Sequence, residues 1–69
     1  MAKIKITLNG ADKFIEPKTS IKILLEELEL DEKKIAVEKN YEIIFPEEFG
    51  GNILSAGDRV EIVHFIGGG

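Results

Sequence analysis

One segment of this sequence has the periodicity of an amphipathic helix, and short strand-like segments lie on both sides of it. In TSIKILLEELEL, residues 19–30, the apolar residues at i, i+3, i+4 and i+7 form a stripe on one helical face: Ile21, Leu24, Leu25 and Leu28. Thr19 is the predicted N-cap, and glutamates such as Glu29 occupy the solvent side. Because one helix can cover only one face of a sheet, the other face is left for solvent or a partner. The predicted fold class is α+β, with a mixed sheet of four or five strands packed on one main helix.

The predicted strands follow from polar–apolar alternation and from the residues that end it. KIKITL alternates as a half-buried strand does, and Asn9-Gly10 after it is a strong hairpin signal. Pro46 ends a later strand, and Gly50 and Gly51 are predicted to supply positive φ in the turn that follows. The predicted strands are residues 3–8, 11–16, 35–37, 42–45 and 59–66.

The last predicted strand indicates which face of the sheet stays uncovered. Its two sides alternate, with Val60, Ile62 and His64 on one and Glu61, Val63 and Phe65 on the other. Because Glu61 marks its side as the open one, Val63 and Phe65 are predicted to be exposed apolar residues, unless a loop covers them. A contiguous exposed apolar patch often marks an interaction site. We therefore predict partner binding through Val63, Phe65 and Ile66.

Composition narrows the functional classes. A net charge of −4 disfavours nucleic-acid binding, which needs a basic face, and favours a positively charged protein partner. The absence of cysteine excludes disulfides, thiolate metal sites and cysteine nucleophiles. His64 is the single histidine, and no set of catalytic residues stands out. We therefore expect no metal site, no permanently bound cofactor and no enzymatic activity. Residues 1–10 contain no apolar run long enough for a signal peptide, so the expected location is cytoplasmic.

Three glycines, Gly67, Gly68 and Gly69, follow the last predicted strand. One interpretation is a frayed terminus, since chain ends are commonly disordered. The other is an extended arm whose final carboxylate is the working group of the protein. Three extended residues reach roughly 10 Å, and without Cβ atoms they can enter a narrow channel. The predicted organisation is a domain at residues 1–66 and a flexible tail at residues 67–69.

The stretch GDRVEIVHFIGGG, at the end of a chain with this order of elements, resembles the ThiS family of sulfur carriers in thiamin biosynthesis. That family has the ubiquitin-like β-grasp fold and belongs to the ThiS/MoaD superfamily. The resemblance spans the whole chain, including the Asn9-Gly10 hairpin, LLEEL in the helix and a Phe-Pro-Glu-Glu-Phe turn. Within that turn the sequence has Glu47 and Phe49, where many members carry a basic residue and a tryptophan.

The resemblance implies a carrier whose carboxyl group at Gly69 is modified by other enzymes. An adenylyltransferase of the ubiquitin-activating type (ThiF-like) would adenylate the carboxylate with MgATP. A sulfur donor such as a cysteine desulfurase would then allow a thiocarboxylate to form, and a thiazole synthase (ThiG-like) would receive the sulfur. The resemblance therefore implies a substrate of these enzymes, monomeric when free.

Two alternatives to this function stay open. The first is a sulfur carrier for another pathway, such as the small subunit of molybdopterin synthase. That family tends to be longer and to have prolines before its last residues, where this chain has Phe65-Ile66-Gly67. The second is a ubiquitin-like modifier or a pure binding module. A modifier would form protein conjugates of higher mass, whereas a carrier would not need them.

Overall fold

Five strands form one mixed sheet in the computed structural model, which describes residues 2–65. The elements are β1 (Ile4–Leu8), β2 (Ala11–Ile15), α1 (Ile21–Glu27), β3 (Ile35–Lys39), β4 (Glu42–Ile44) and β5 (Arg59–His64). The strands lie in the order β2-β1-β5-β3-β4. Neighbouring strands are antiparallel except β1 and β5, which are parallel. The predicted α+β class and the Asn9-Gly10 hairpin between β1 and β2 are confirmed.

The hydrophobic core lies between α1 and one face of the sheet. From the helix, Ile21, Leu24 and Leu25 are buried, and Leu28 packs partly buried against them, as the stripe predicts. The sheet contributes six buried residues, Ile6, Ile15, Ile35, Val37, Val60 and Ile62. Two further core residues, Phe49 and Leu54, come from the connection between β4 and β5. The helix and this connection therefore bury one side of the sheet together.

The connection after β4 differs from the predicted irregular turn. Residues Pro46–Glu48 form a 3₁₀ helix, and the Phe49 side chain that follows is only 1% exposed. Phe49 has φ −58 and ψ −41, which are right-handed helical angles. The prediction of positive φ at Gly50 and Gly51 is wrong. The chain turns here through the 3₁₀ helix and the helical angles of Phe49, whose side chain is anchored in the core.

The first turn of α1 is capped by Ser20, so the prediction of Thr19 as the N-cap is wrong. The Ser20 Oγ accepts a hydrogen bond from the Ile23 N–H at 3.1 Å. The Thr19 hydroxyl instead donates to the Glu16 carbonyl at 2.7 Å. Both residue types are good caps, and the hydrogen bond to Glu16 directs the Thr19 side chain away from the helix.

The C-terminal end of α1 is a left-handed reversal at Glu29, which has φ 59. The Glu29 N–H donates to Glu26 O and the Leu30 N–H donates to Leu25 O, each at 3.0 Å. This pair of bonds is the Schellman motif, in which glycine is the usual left-handed residue. The predicted solvent exposure of Glu29 is confirmed, but Glu29 lies beyond the helix, which ends at Glu27.

We expect Glu29→Gly to stabilise the protein. The left-handed conformation costs a non-glycine residue about 1–2 kcal/mol, and the greater freedom of glycine in the unfolded chain offsets about 0.4–1 kcal/mol of that gain. The free energy of unfolding should rise by about 0.5–1 kcal/mol in a denaturant titration. Glu27→Gly, inside the helix, is the control and should lower it by about 1 kcal/mol. A destabilising Glu29→Gly would contradict the left-handed reversal.

Candidate functional site

On the sheet face opposite α1, the β4 and β5 strands and the residues directly after them carry four exposed apolar side chains, Ile43, Phe45, Val63 and Phe65, which we call the exposed apolar face. Val63 and Phe65 are each 60% exposed, so their predicted exposure is confirmed. Ile43 and Phe45 were not predicted to belong to this surface. The sequence offered no signal for them, because the inward direction of Ile44, which places its two neighbours on the outer face, is visible only in the folded sheet.

The strand register brings residues from three strands together on this face. Val63 of β5 is paired with Ala36 of β3. On the other side of β3, Val37 is paired with Ile44, which places the next residue, Phe45, beside Ala36. Val63, Ala36 and Phe45 therefore form one apolar row across the sheet, and the middle residue has only a methyl side chain. This row is a surface that a partner can dehydrate without breaking hydrogen bonds of the domain.

Charged residues border the apolar row. Glu38 and Glu61 are directly paired across β3 and β5, on the same face as Val63. Arg59 Nη2 lies 3.1 Å from Glu61 Oε2, and its guanidinium carbon lies 4.2 Å from the centroid of the Tyr41 ring. Within residues 2–65, Arg59 forms an ion pair with Glu61 but not with Glu38, so the border keeps a negative charge. A partner with basic residues opposite it would be electrostatically complementary.

Strand β5 extends beyond the end of its parallel neighbour β1. Their paired residues are Thr7 with Arg59 and Leu8 with Val60. Beyond these pairs, the Asn9 backbone N–H donates to Val60 O at 2.9 Å. The Asn9 side-chain Oδ1 then accepts from the Ile62 N–H at 2.7 Å. On the opposite edge, β3 and the residue before it pair with β5 as far as Phe65, whose N–H donates to Lys34 O at 2.9 Å.

The remaining predicted site residues, Ile66, Gly67, Gly68 and Gly69, lie outside the described residues, as does the predicted boundary between domain and tail. His64 is exposed although it follows Ile62 on the core side of β5. Within residues 2–65, no group of three or more acidic or histidine side chains is placed to hold a metal ion. No helix in that part of the chain has the length and hydrophobicity to cross a membrane.

Comparisons with known proteins identify the same family along nearly the whole chain. The model of the ThiS family matches residues 6–69. The chain is 42% identical over 65 residues to the sulfur carrier protein ThiS of Bacillus subtilis, a match that covers 93% of this chain and 98% of that protein. The crystal structure of the thiamine biosynthesis protein ThiS from Geobacter metallireducens has a TM-score of 0.83 at 29% identity. That match covers 96% of this chain and 100% of the other.

A second kind of relative is much longer. A thiazole synthase of Paramagnetospirillum magneticum is 38% identical over 66 residues, and a thiazole synthase of Magnetococcus marinus is 39% identical over 66 residues. Each match covers 96% of this chain but only 20% of the synthase. The chain therefore spans about one fifth of the length of these relatives, and each synthase contains a segment similar to it within one polypeptide.

Proposed function

Because the chain belongs to the ThiS family, we propose that it is a sulfur carrier in the biosynthesis of thiamin. The single observation that carries this proposal is the match to a sulfur carrier of the family along almost all of both chains. The five-stranded sheet on one helix, shared with a ThiS crystal structure, supports it. The chain acts in this proposal as a substrate that other enzymes modify, and it supplies no catalytic residue itself.

The proposed working group is the carboxyl group of Gly69. A terminal carboxyl group has a reference pKa of about 3.3–3.7, so it is an anion at neutral pH. The carboxylate is a poor acyl donor, because its charge repels nucleophiles and oxide is a poor leaving group. Attack of a carboxylate oxygen on the α-phosphorus of MgATP forms an acyl adenylate and releases pyrophosphate. A sulfide equivalent then attacks the acyl carbon, AMP leaves with the bonding electron pair, and the thiocarboxylate –COS⁻ remains.

Three partners belong to this proposal: an adenylyltransferase of the ubiquitin-activating type (ThiF-like), a sulfur donor such as a cysteine desulfurase, and a thiazole synthase (ThiG-like). The two thiazole synthases that contain a segment similar to this chain support the last of them. MgATP is bound by the activating partner and not by the carrier. A cytoplasmic location is part of this proposal, because the proposed reactions consume ATP.

The tail, Gly67, Gly68 and Gly69, is proposed to enter the active sites of these partners while the domain stays outside. Glycine suits this role because it has no Cβ atom to obstruct a narrow channel. Val63, Phe65 and Ile66 immediately precede the tail, so an enzyme that holds the tail also contacts this end of β5. We therefore propose that the exposed apolar face is the docking surface for the activating enzyme, and that Ile66 also contacts this enzyme.

The intact mass of the protein tests the proposed chemistry. The carrier is incubated with a cognate adenylyltransferase, MgATP and a sulfur source, and the mass is compared with that of a sample without ATP. Replacement of one oxygen by sulfur adds about 16 Da, the difference between the two atomic masses, and fragmentation should place it at Gly69. A mass gain elsewhere in the chain, or conjugates with other proteins, would contradict a sulfur carrier of this type.

We expect Phe65→Asp to weaken binding of the activating enzyme by at least about 2 kcal/mol, the scale of an aromatic hot spot. The control is Phe14→Asp, because Phe14 is also 60% exposed but lies on edge strand β2, which β1 separates from β5. Phe14→Asp should leave the affinity unchanged in a calorimetric titration. Ile62→Asp buries an unpaired charge and should unfold the domain. Equal loss of stability in Phe65→Asp and Ile62→Asp would contradict the docking surface.

A further inference from the structure

We propose that the backbone edge of β5 at His64 binds an extended main-chain segment of the thiazole synthase, which continues the sheet beyond the end of β1. The added segment would accept a hydrogen bond from the His64 N–H through one of its carbonyl groups. This inference rests on the proposed function, in which the synthase receives the tail. It adds a specific mode of binding, the addition of a strand to a sheet.

The edge toward which the His64 N–H points follows from the hydrogen bonds of β5. Asn40 N–H donates to Arg59 O, and Phe65 N–H donates to Lys34 O, so the odd-numbered residues of β5 present their backbone groups to β3. Hydrogen-bonded and non-hydrogen-bonded pairs alternate in an antiparallel ladder. The backbone groups of the even-numbered residues therefore point to the β1 edge, as the bonds of Val60 and Ile62 with Asn9 confirm. His64 is the next residue in this series, and its N–H has no acceptor within residues 2–65.

The turn after β1 leaves the space beside His64 open. Asn9 and Gly10 have φ of 49 and 83, so the chain reverses direction immediately after Leu8. The Asn9 side chain replaces the backbone carbonyl that a longer β1 would have offered to Ile62. It therefore completes the existing ladder at Ile62 and leaves the edge free at His64. A strand placed there would lie in line with β1.

The residues around this edge favour pairing with another chain. Exposed strand edges are usually protected by lysine, proline or a bulge, but residues 62–65 are Ile, Val, His and Phe. Val63 and Phe65 flank the free backbone of His64 and are highly exposed. The side chains of an added strand that project to this face would cover both of them. One added strand would therefore give the His64 N–H an acceptor and also bury the Val63 and Phe65 side chains.

The thiazole synthase is the partner to which we assign this edge. Two synthases contain a segment similar to this chain in the same polypeptide. This arrangement indicates that the carrier-like segment and the synthase take part in the same reaction. Main-chain pairing at His64 would also hold the following residues extended and directed along the added strand. This pairing would therefore determine the direction in which the tail enters the synthase.

Two substitutions at one position test the inference in the complete protein. His64→Pro removes the N–H, whereas His64→Ala removes only the side chain. Calorimetric titration with the thiazole synthase should show that His64→Ala binds within about twofold of the parent protein. His64→Pro should bind about tenfold more weakly, the effect of one lost hydrogen bond. The melting temperatures of both variants should be similar, since the His64 N–H has no acceptor in residues 2–65.

Amide hydrogen exchange of the parent protein gives an independent measurement that needs no substitution. Exchange at the His64 N–H should slow by at least about tenfold when the synthase is added. An unchanged exchange rate in the bound protein, or equal affinity of His64→Pro and His64→Ala, would overturn strand addition while leaving the proposed function intact. If the parent protein does not bind the synthase at all, the proposed partner itself is wrong, and the inference falls with it.

Discussion

Removal of Gly69 should abolish thiocarboxylate formation and leave the domain as stable as before. The carboxylate of the shortened chain would end one residue, about 3.3–3.6 Å, before the site of adenylation. That displacement is larger than the misplacement of about 1 Å that already costs an enzyme roughly a hundredfold in rate. The measurement is the gain of about 16 Da, an atomic-mass difference, in the intact mass, with thermal melting recorded on the same sample.

Two further chains control for this deletion. Addition of one alanine after Gly69 moves the carboxylate in the opposite direction and should abolish the reaction as well. Addition of one alanine before Met1 changes the length equally and should leave the reaction unaffected. If the shortened protein gains sulfur at the native rate, the position of the carboxylate does not matter and the proposed role of Gly69 is wrong. A large fall in melting temperature would instead assign a structural role to the tail.

Phe49→Ala should destabilise the domain by about 3–5 kcal/mol, the usual cost of removing a buried phenyl ring. Phe49 is 1% exposed and belongs to the core cluster of the described residues. A single core in a chain of this size rarely supplies more than about 3–5 kcal/mol of net stability. The variant is therefore expected to be largely unfolded at 25 °C. Denaturant titration followed by circular dichroism measures the effect.

Phe45→Ala is the matched control, because the same side chain is removed four positions earlier. Phe45 is 58% exposed, and a surface substitution usually changes stability by less than about 0.5 kcal/mol. A similar loss of stability in both variants would show that the Phe49 ring contributes no more to the core than an exposed ring does. The same Phe45→Ala protein also reports on the exposed apolar face, since its fold should be intact.

The helix stripe and the exposed side of β5 could be predicted because each follows from a local period. Ile21, Leu24 and Leu25 are buried since residues that share a helical face also share the core. Val63 and Phe65 are exposed since side chains alternate along a strand. The choice between Thr19 and Ser20 as N-cap had no such basis, because both residue types cap helices well.

Other features depend on contacts that no local pattern contains. Phe49 lies in a segment with the composition of a turn, so its burial was not predicted. The exposure of Ile43 was missed because a strand of three residues is too short to display alternation. The hydrogen bond from Ile62 to Asn9 joins residues 53 positions apart and is decided only by the folded sheet. The chemistry proposed for Gly69 came from the family resemblance, since three glycines alone do not specify a reaction.

The central position of β5 has a consequence for how the domain assembles during synthesis. The hairpins β1-β2 and β3-β4 can each form early from neighbouring residues, but they meet only across β5, the last strand to be made. Pairing over such long sequence separations is a slow and late event in folding. A nascent chain that has not yet released residues 59–64 therefore lacks a joined sheet. The strand that completes the sheet is also the segment that leads to the tail. An enzyme that binds this segment only when it is paired in the sheet would therefore bind only fully folded domains.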